Sequence, residues 1–298
     1  MPKHQETLLK NGLRLITATG SPVAIVSLWI KAGSRYENKQ QLGYSHFLEH
    51  LLYKNMVDMH RNMDKNHIGA HINASTSREA VHFFVEASED YLDYMLFVLA
   101  KSVLDFTISN ELETEKKVIT QEMQIARENP LKVLTTQSLK KFFGDHPLTQ
   151  EPLGSMESVQ NATPEKLREY KNNFFIPERS AVVVTSNIQH NMVLDMVIKH
   201  LESWQPDTNQ PTENSKLYIL NLNITENYLY IQNSNKQTLI MINFYTPGIS
   251  NLREVAALEV AANYLGQGHT SFLGEKLREE TGLVYGINSY NFRYTDAG

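Results

Sequence analysis

The sequence predicts an α+β protein, because short β-branched runs mix with longer stretches of helical period in an irregular order, not in the strict alternation of a parallel sheet. A stretch at 205–216 carries Pro206, Pro211 and several Asn and Thr with no large apolar residue, which predicts a linker. It divides a first unit, 1–204, from a second, 217–298. The 298 residues, 41% of them hydrophobic, suffice for two domains.

In chain order, apolar runs at 13–16 and 23–32 flank Gly20, Ser21 and Pro22 and predict an opening hairpin. After Gly33 the period becomes helical, with Phe47, Leu48, Leu51 and Leu52 on one stripe and Ser45 as cap, predicting a helix at 46–53 and a second at 56–66. Runs at 70–76 and 80–87, joined by Ser77, Arg78 and Glu79, predict a second hairpin. Helices are expected at 91–104, 111–127 and 131–143, then at 163–173, where Thr163 and Pro164 supply a cap and a first position. A buried strand at 180–185 and a helix at 192–204 complete the unit. Beyond the linker, strands are expected at 217–222, 228–232, 238–244 and from 284, with helices at 252–264 and 273–280.

Composition excludes several classes of function. Charged residues, 28 basic and 33 acidic, leave a net charge of -5, without the basic footprint of a nucleic-acid or anionic-lipid binder. No run is long and apolar enough for a signal-peptide core or a membrane span, so a cytoplasmic protein without membrane or nucleic-acid partners is expected. The chain has no cysteine, so any metal must be held by imidazole and carboxylate.

Among the 11 histidines, His46 and His50 frame the sequence His46-Phe47-Leu48-Glu49-His50. On a helix, residues four apart share a face, so both imidazoles can point at one ion while Glu49, three on from His46, shares that face. Zinc bound there would lower the pKa of a water to about 7, with Glu49 to accept its proton. The plainer alternative is an amphipathic helix with two partly exposed histidines. A third ligand is sought in the helix at 111–127, where Glu115 and Glu122 are seven apart on one face; Glu122 is favoured, and Glu111, Glu113 and Glu128 read as a solvated acidic face. His60, His67, His71 and His82 have no competing ligand spacing, and residues 266–268 are too short for a phosphate-binding loop.

The segments Asn11-Gly12-Leu13-Arg14, Gly33-Ser34-Arg35-Tyr36-Glu37, Gly43-Tyr44-Ser45-His46-Phe47-Leu48-Glu49-His50 and Glu115-Lys116-Lys117-Val118 through Glu122 together resemble the pitrilysin and insulinase family of inverted-motif zinc peptidases, with its processing-peptidase branch. The resemblance implies two related domains, each a mixed sheet with helices packed on it. It implies zinc held by His46, His50 and Glu122, Glu49 as general base and Glu115 supporting the site from behind the ligands. Residues 69–76 are similar to the family's edge strand, on which a substrate peptide lies as an added strand, with Asn73 and Ala74 at the contact positions. Residues 277–285 are similar to a segment whose arginine and tyrosine meet the substrate, here Arg278 and Tyr285, the tyrosine assisting the carbonyl oxyanion.

The expected activity is therefore zinc-dependent endopeptidase action on extended peptides or unfolded segments, in a homodimer or a heterodimer with a related subunit. A non-catalytic partner subunit that helps enclose peptides is the rival reading. The departures are a His50-to-Glu122 spacing a few residues shorter than the family's, which a shortened loop absorbs, and no proline in 102–106. The second unit, 82 residues against about 204, is expected to be a partial domain, so this chain is expected to bind zinc yet cleave poorly unless extended or joined by a partner.

Overall fold

The computed structural model describes residues 4–20, 22–63, 68–106, 108, 111–205, 228–232 and 236–298. They form two compact units, residues 1–140 with 147–214 and residues 141–146 with 215–298.

The first unit is a six-stranded mixed sheet with helices on it. Strands β1 (His4–Leu8), β2 (Arg14–Ala18), β3 (Val23–Ile30), β4 (His71–Thr76), β5 (Val81–Ser88) and β6 (Ser180–Thr185) lie in the order β1-β2-β6-β3-β5-β4. The expected opening hairpin is corrected by this order: β6 inserts between β2 and β3, parallel to β2 and antiparallel to β3. The hairpin partner of β2 is β1, whose polar sequence hides it. An all-apolar strand such as Val182 to Val184, buried in alternation, has most to gain from a central position, because both edges are then paired.

The helices are α1 (Tyr44–Met63), α2 (Leu92–Leu104), α3 (Leu112–Glu128), α4 (Pro130–Phe143), α5 (Met156–Gln160), α6 (Pro164–Phe174) and α7 (His190–Leu201). The break expected between residues 53 and 56 is absent: α1 runs through Lys54 and Asn55, which lack the glycine or proline that would stop it. Its stripe of Phe47, Leu48, Leu51, Leu52 and Met56 is buried, each side chain contributing about 1.5–3 kcal/mol by leaving water. That stripe lies toward β4 and β5, and α3 packs alongside α1. Thr163 caps α6 as expected, its side chain accepting from the Lys166 amide; the short α5 was not foreseen.

The start of α1 corrects the expected Ser45 cap. Glu37 reaches in from outside the helix, Oε2 accepting from the Gly43 amide and Oε1 from the Ser45 amide, both at 2.7 Å. The Ser45 hydroxyl instead meets the Tyr170 hydroxyl at 2.8 Å. Just ahead of the helix, two glycines pack back to back: Gly154, at φ +72°, would bring a Cβ to 2.2 Å from the Leu42 carbonyl oxygen, and Gly43, at φ +95°, to 2.8 Å from that of Leu153.

In the second unit, α8 (Leu252–Gly266) and a π-type turn at Gly274–Glu280 occupy the two expected helices. The expected strands at 228–232, 238–244 and from 284 are not formed, and the only strand-like pairing there among the described residues is a bridge of Pro247 with Ala297. A β-pattern makes a strand only when a neighbour supplies the ladder, and here Ile240, Ile242 and Phe244 are exposed instead. The expected strand at 217–222, and the expected linker apart from Gln205, fall outside the described residues. No helix of the described residues is long and apolar enough to cross a membrane.

Candidate active site

The polar stripe of α1 carries the inverted motif. Because the apolar stripe is fixed against the sheet, His46, Glu49 and His50 share another side of the helix, and one ligand atom of each lies within 4.8 Å of the others. The rings of His46 and His50 stand 4.5 Å apart at 67°.

Helix α3 brings the carboxylates. Ile119 and Met123 anchor it, and Glu115 and Glu122, two turns apart, come to the two histidines. Glu122 Oε2 lies 3.7 Å from His46 Nε2 and 3.5 Å from His50 Nε2, so a single carboxylate oxygen faces both imidazoles. Glu49 Oε2 stands 3.8 Å from His46 Nε2. Behind His50, its Nδ1 meets Glu115 Oε2 at 3.1 Å. Glu115 Oε1 is 3.7 Å from Lys54 Nζ, which also pairs with Glu111 at 3.1 Å. Glu111, its side chain 40% exposed, thus also pairs across the helices.

Burial sets the electrostatics. It pushes His46 down to about 3, assisted by the neighbouring His50, so this imidazole is neutral with a free lone pair at ordinary pH. Burial also raises the Glu49 carboxyl, against the lowering by His50 and by the Thr76 hydroxyl. The Thr76 hydroxyl, on the last residue of β4, donates to Glu49 Oε2 at 3.2 Å.

The donor set fits a zinc ion. Tetrahedral zinc with ligands at about 2.0–2.1 Å places its donor atoms about 3.4 Å from one another, close to the two Glu122–imidazole separations. The chemistry agrees: neutral imidazole and carboxylate are zinc donors, and it is the Nε2 atom of each histidine that faces the Glu122 oxygen.

The other sequence candidates lie elsewhere. Asn73 and Ala74 are on β4, which ends the sheet with β5 on one side and, among the described residues, no strand on the other. Asn73 is exposed, its Oδ1 accepting from the Ala74 amide at 2.8 Å. Arg278 and Tyr285 belong to the second unit, the guanidinium 5.8 Å from the ring centroid and also 2.8 Å from His269 Nδ1, while Tyr285 is 89% exposed. Sequence reasoning missed Thr76, Lys54 and Glu37. Lys54 was legible as the next step of the stripe, four after His50; Thr76 and Glu37 carry no local signal.

Two family profiles take in nearly the whole chain: insulinase (peptidase family M16) matches residues 15–155, and the peptidase M16 inactive domain matches residues 161–298. The chain is similar to the uncharacterized zinc protease YmxG of Bacillus subtilis, 29% identical over 297 residues, which are 97% of this chain and 70% of the relative. It is similar to the mitochondrial-processing peptidase subunit beta of Caenorhabditis elegans, 30% identical over 205 residues, 67% of this chain and 45% of that subunit. Its fold is that of a protease from Helicobacter pylori, with a TM-score of 0.83 at 22% identity, over 100% of this chain and 73% of that one. With the inverted motif, the paired carboxylates on α3 and both profiles in order along the sequence, the chain belongs to the M16, or insulinase, family of peptidases.

Proposed function

We propose that this protein is a zinc-dependent endopeptidase acting on extended peptides or unfolded segments, with His46, His50 and Glu122 as the metal ligands. The observation that carries the reading is the facing of one Glu122 oxygen by both imidazoles at 3.5 and 3.7 Å, with a buried carboxylate, Glu49, beside them. Zinc, when bound, supplies Lewis acidity and an acidified water. Glu49 takes the proton of the attacking water and passes it to the leaving amine, a task that suits a carboxyl raised by burial. Glu115 holds His50 in the tautomer with its Nε2 lone pair free.

The open edge of β4 at Asn73 and Ala74 offers backbone groups to an extended peptide, a mode of binding that makes little sequence demand. Arg278 and Tyr285 are assigned to the substrate, the phenol to the carbonyl oxygen as it gains charge. Similarity to a processing-peptidase subunit supports pairing with a second copy or a related subunit. The domain boundaries we propose are 1–204 and 217–298, and the cysteine-free composition accords with the cytoplasm.

The test is metal analysis together with cleavage of an unstructured peptide library by the full-length protein with any partner present. Glu49→Gln should retain zinc and lose at least a hundredfold in kcat, whereas His46→Ala, His50→Ala and Glu122→Ala should lose both. Normal cleavage by Glu49→Gln would sink the mechanism.

A further inference from the structure

We propose that Thr76 is a positioning residue for the Glu49 carboxylate, so that the strand offered to the peptide also aims the base. The inference rests on the peptidase reading above. Glu49 is 8% exposed, and the Thr76 hydroxyl at 3.2 Å is the one hydrogen-bond donor to its carboxylate among the described residues. The last torsion of a glutamate is broad and nearly two-fold, so a carboxylate without a fixed donor turns freely about it. A base that turns spends less of its time facing the water it must deprotonate.

The fold makes Thr76 a suitable clamp. Along β4, His71, Asn73 and Ser75 are exposed, whereas Ile72, Ala74 and Thr76 are half-buried on the side that packs against α1. Thr76 pairs with Val81 across the strands, and the turn that follows is closed by the Ser77 amide on the Ala80 carbonyl at 2.8 Å. Arg78 ties the turn down, Nε donating to the Leu148 carbonyl at 2.7 Å and Nη2 pairing with Glu151. β-Branching restricts the Thr76 side chain itself, so the hydroxyl is held from both ends. Asn73 and Ala74, three and two residues earlier, lie on the edge proposed for the peptide, so a peptide docked there would bear on the same strand.

The experiment compares Thr76→Val, which keeps shape and strand preference, with Thr76→Ser, which keeps the hydroxyl, in the zinc-loaded full-length protein. Thr76→Val should lower kcat on an unstructured peptide about tenfold while KM and zinc affinity stay within about twofold, and Thr76→Ser should restore kcat to within about threefold. A second readout needs no activity: in the metal-free protein, the thermal shifts caused by Thr76→Val and Glu49→Ala should fall short of adding in the double variant, because both remove one contact. Wild-type kcat in Thr76→Val, a Thr76→Ser as slow as Thr76→Val, or fully additive thermal shifts would overturn the inference. Cleavage lost in Glu49→Gln but unchanged in Thr76→Val sinks this inference alone, whereas cleavage untouched by Glu49→Gln sinks the peptidase reading and this inference with it.

Discussion

His50 on α1 donates from Nδ1 to Glu115 Oε2 on α3 across 3.1 Å, which leaves its other ring nitrogen turned toward Glu122 at 3.5 Å. The contact decides which nitrogen carries the proton, since a carboxylate can only accept. Glu115 is in turn flanked by Lys54, so a chain of alternating charge runs from Glu111 through Lys54 and Glu115 to the imidazole.

That chain predicts graded losses of metal affinity. Glu115→Gln should weaken zinc binding about tenfold to a hundredfold, because the amide can present its NH2 to Nδ1 and favour the wrong tautomer. Lys54→Met should cost far less, since its pair with Glu111 is solvent-exposed and worth at most about 1 kcal/mol. Titration with a zinc-competing chelator measures both, and an equal loss in the two variants would contradict the ordering.

Peptide capture at the β4 edge predicts a separation of binding from metal affinity. Ala74→Pro removes one backbone donor from β4 and restricts its backbone, so peptide affinity should fall at least tenfold while zinc affinity changes little. Calorimetry with an extended peptide on the zinc-loaded Glu49→Gln background gives the comparison, and unchanged peptide affinity would remove the added-strand arrangement.

Glu37 predicts a pH dependence of stability. Burial raises its carboxyl from 4.5 to about 7, against the lowering by the Gly43 and Ser45 amides. In the unfolded chain it ionises near 4.5, so between that pH and about 7 the folded state holds a proton that the unfolded state has released. Its contribution is therefore full below pH 4.5 and falls as pH rises through about 7, by on the order of 3 kcal/mol in total. Glu37→Gln should flatten this part of the profile, and should lower stability at acid pH by about 1–3 kcal/mol, because one amide donor would face an NH2. Denaturant midpoints between pH 4 and 8 check it; a profile in Glu37→Gln as steep as wild type would remove Glu37 as the cause.

The back-to-back glycines predict a stability cost at a distance from the chemistry. Gly154→Ala meets both a positive φ and a Cβ 2.2 Å from the Leu42 carbonyl oxygen, so it should destabilise by about 2–4 kcal/mol. Gly144→Ala is the control: it shares a positive φ, at +59°, with nothing within 4 Å of the added Cβ, and should cost about 1 kcal/mol. Equal costs in chemical denaturation would show that the close approach is relieved by movement of the loop.

By itself the sequence determined what local period and spacing can express. It placed His46, Glu49 and His50 on one side of a helix, because a 3.6-residue turn leaves no other arrangement, and put Glu115 and Glu122 two turns apart on another. It also placed the limits of β6 and the cap of α6, where apolar runs and Thr-Pro pairs act locally. Only the tertiary structure decided which strands are neighbours. β6 enters between β2 and β3 from more than 140 residues downstream, and no pattern within β2 and β3 records that. The same holds for Glu37 on the start of α1, Thr76 on Glu49 and Glu115 on His50. Thr76 and Glu115 each reach a residue distant in sequence through one hydrogen bond, and Glu37 reaches two amides nearby through two; the free energy of each bond depends on burial and orientation, which exist only once the elements have packed together.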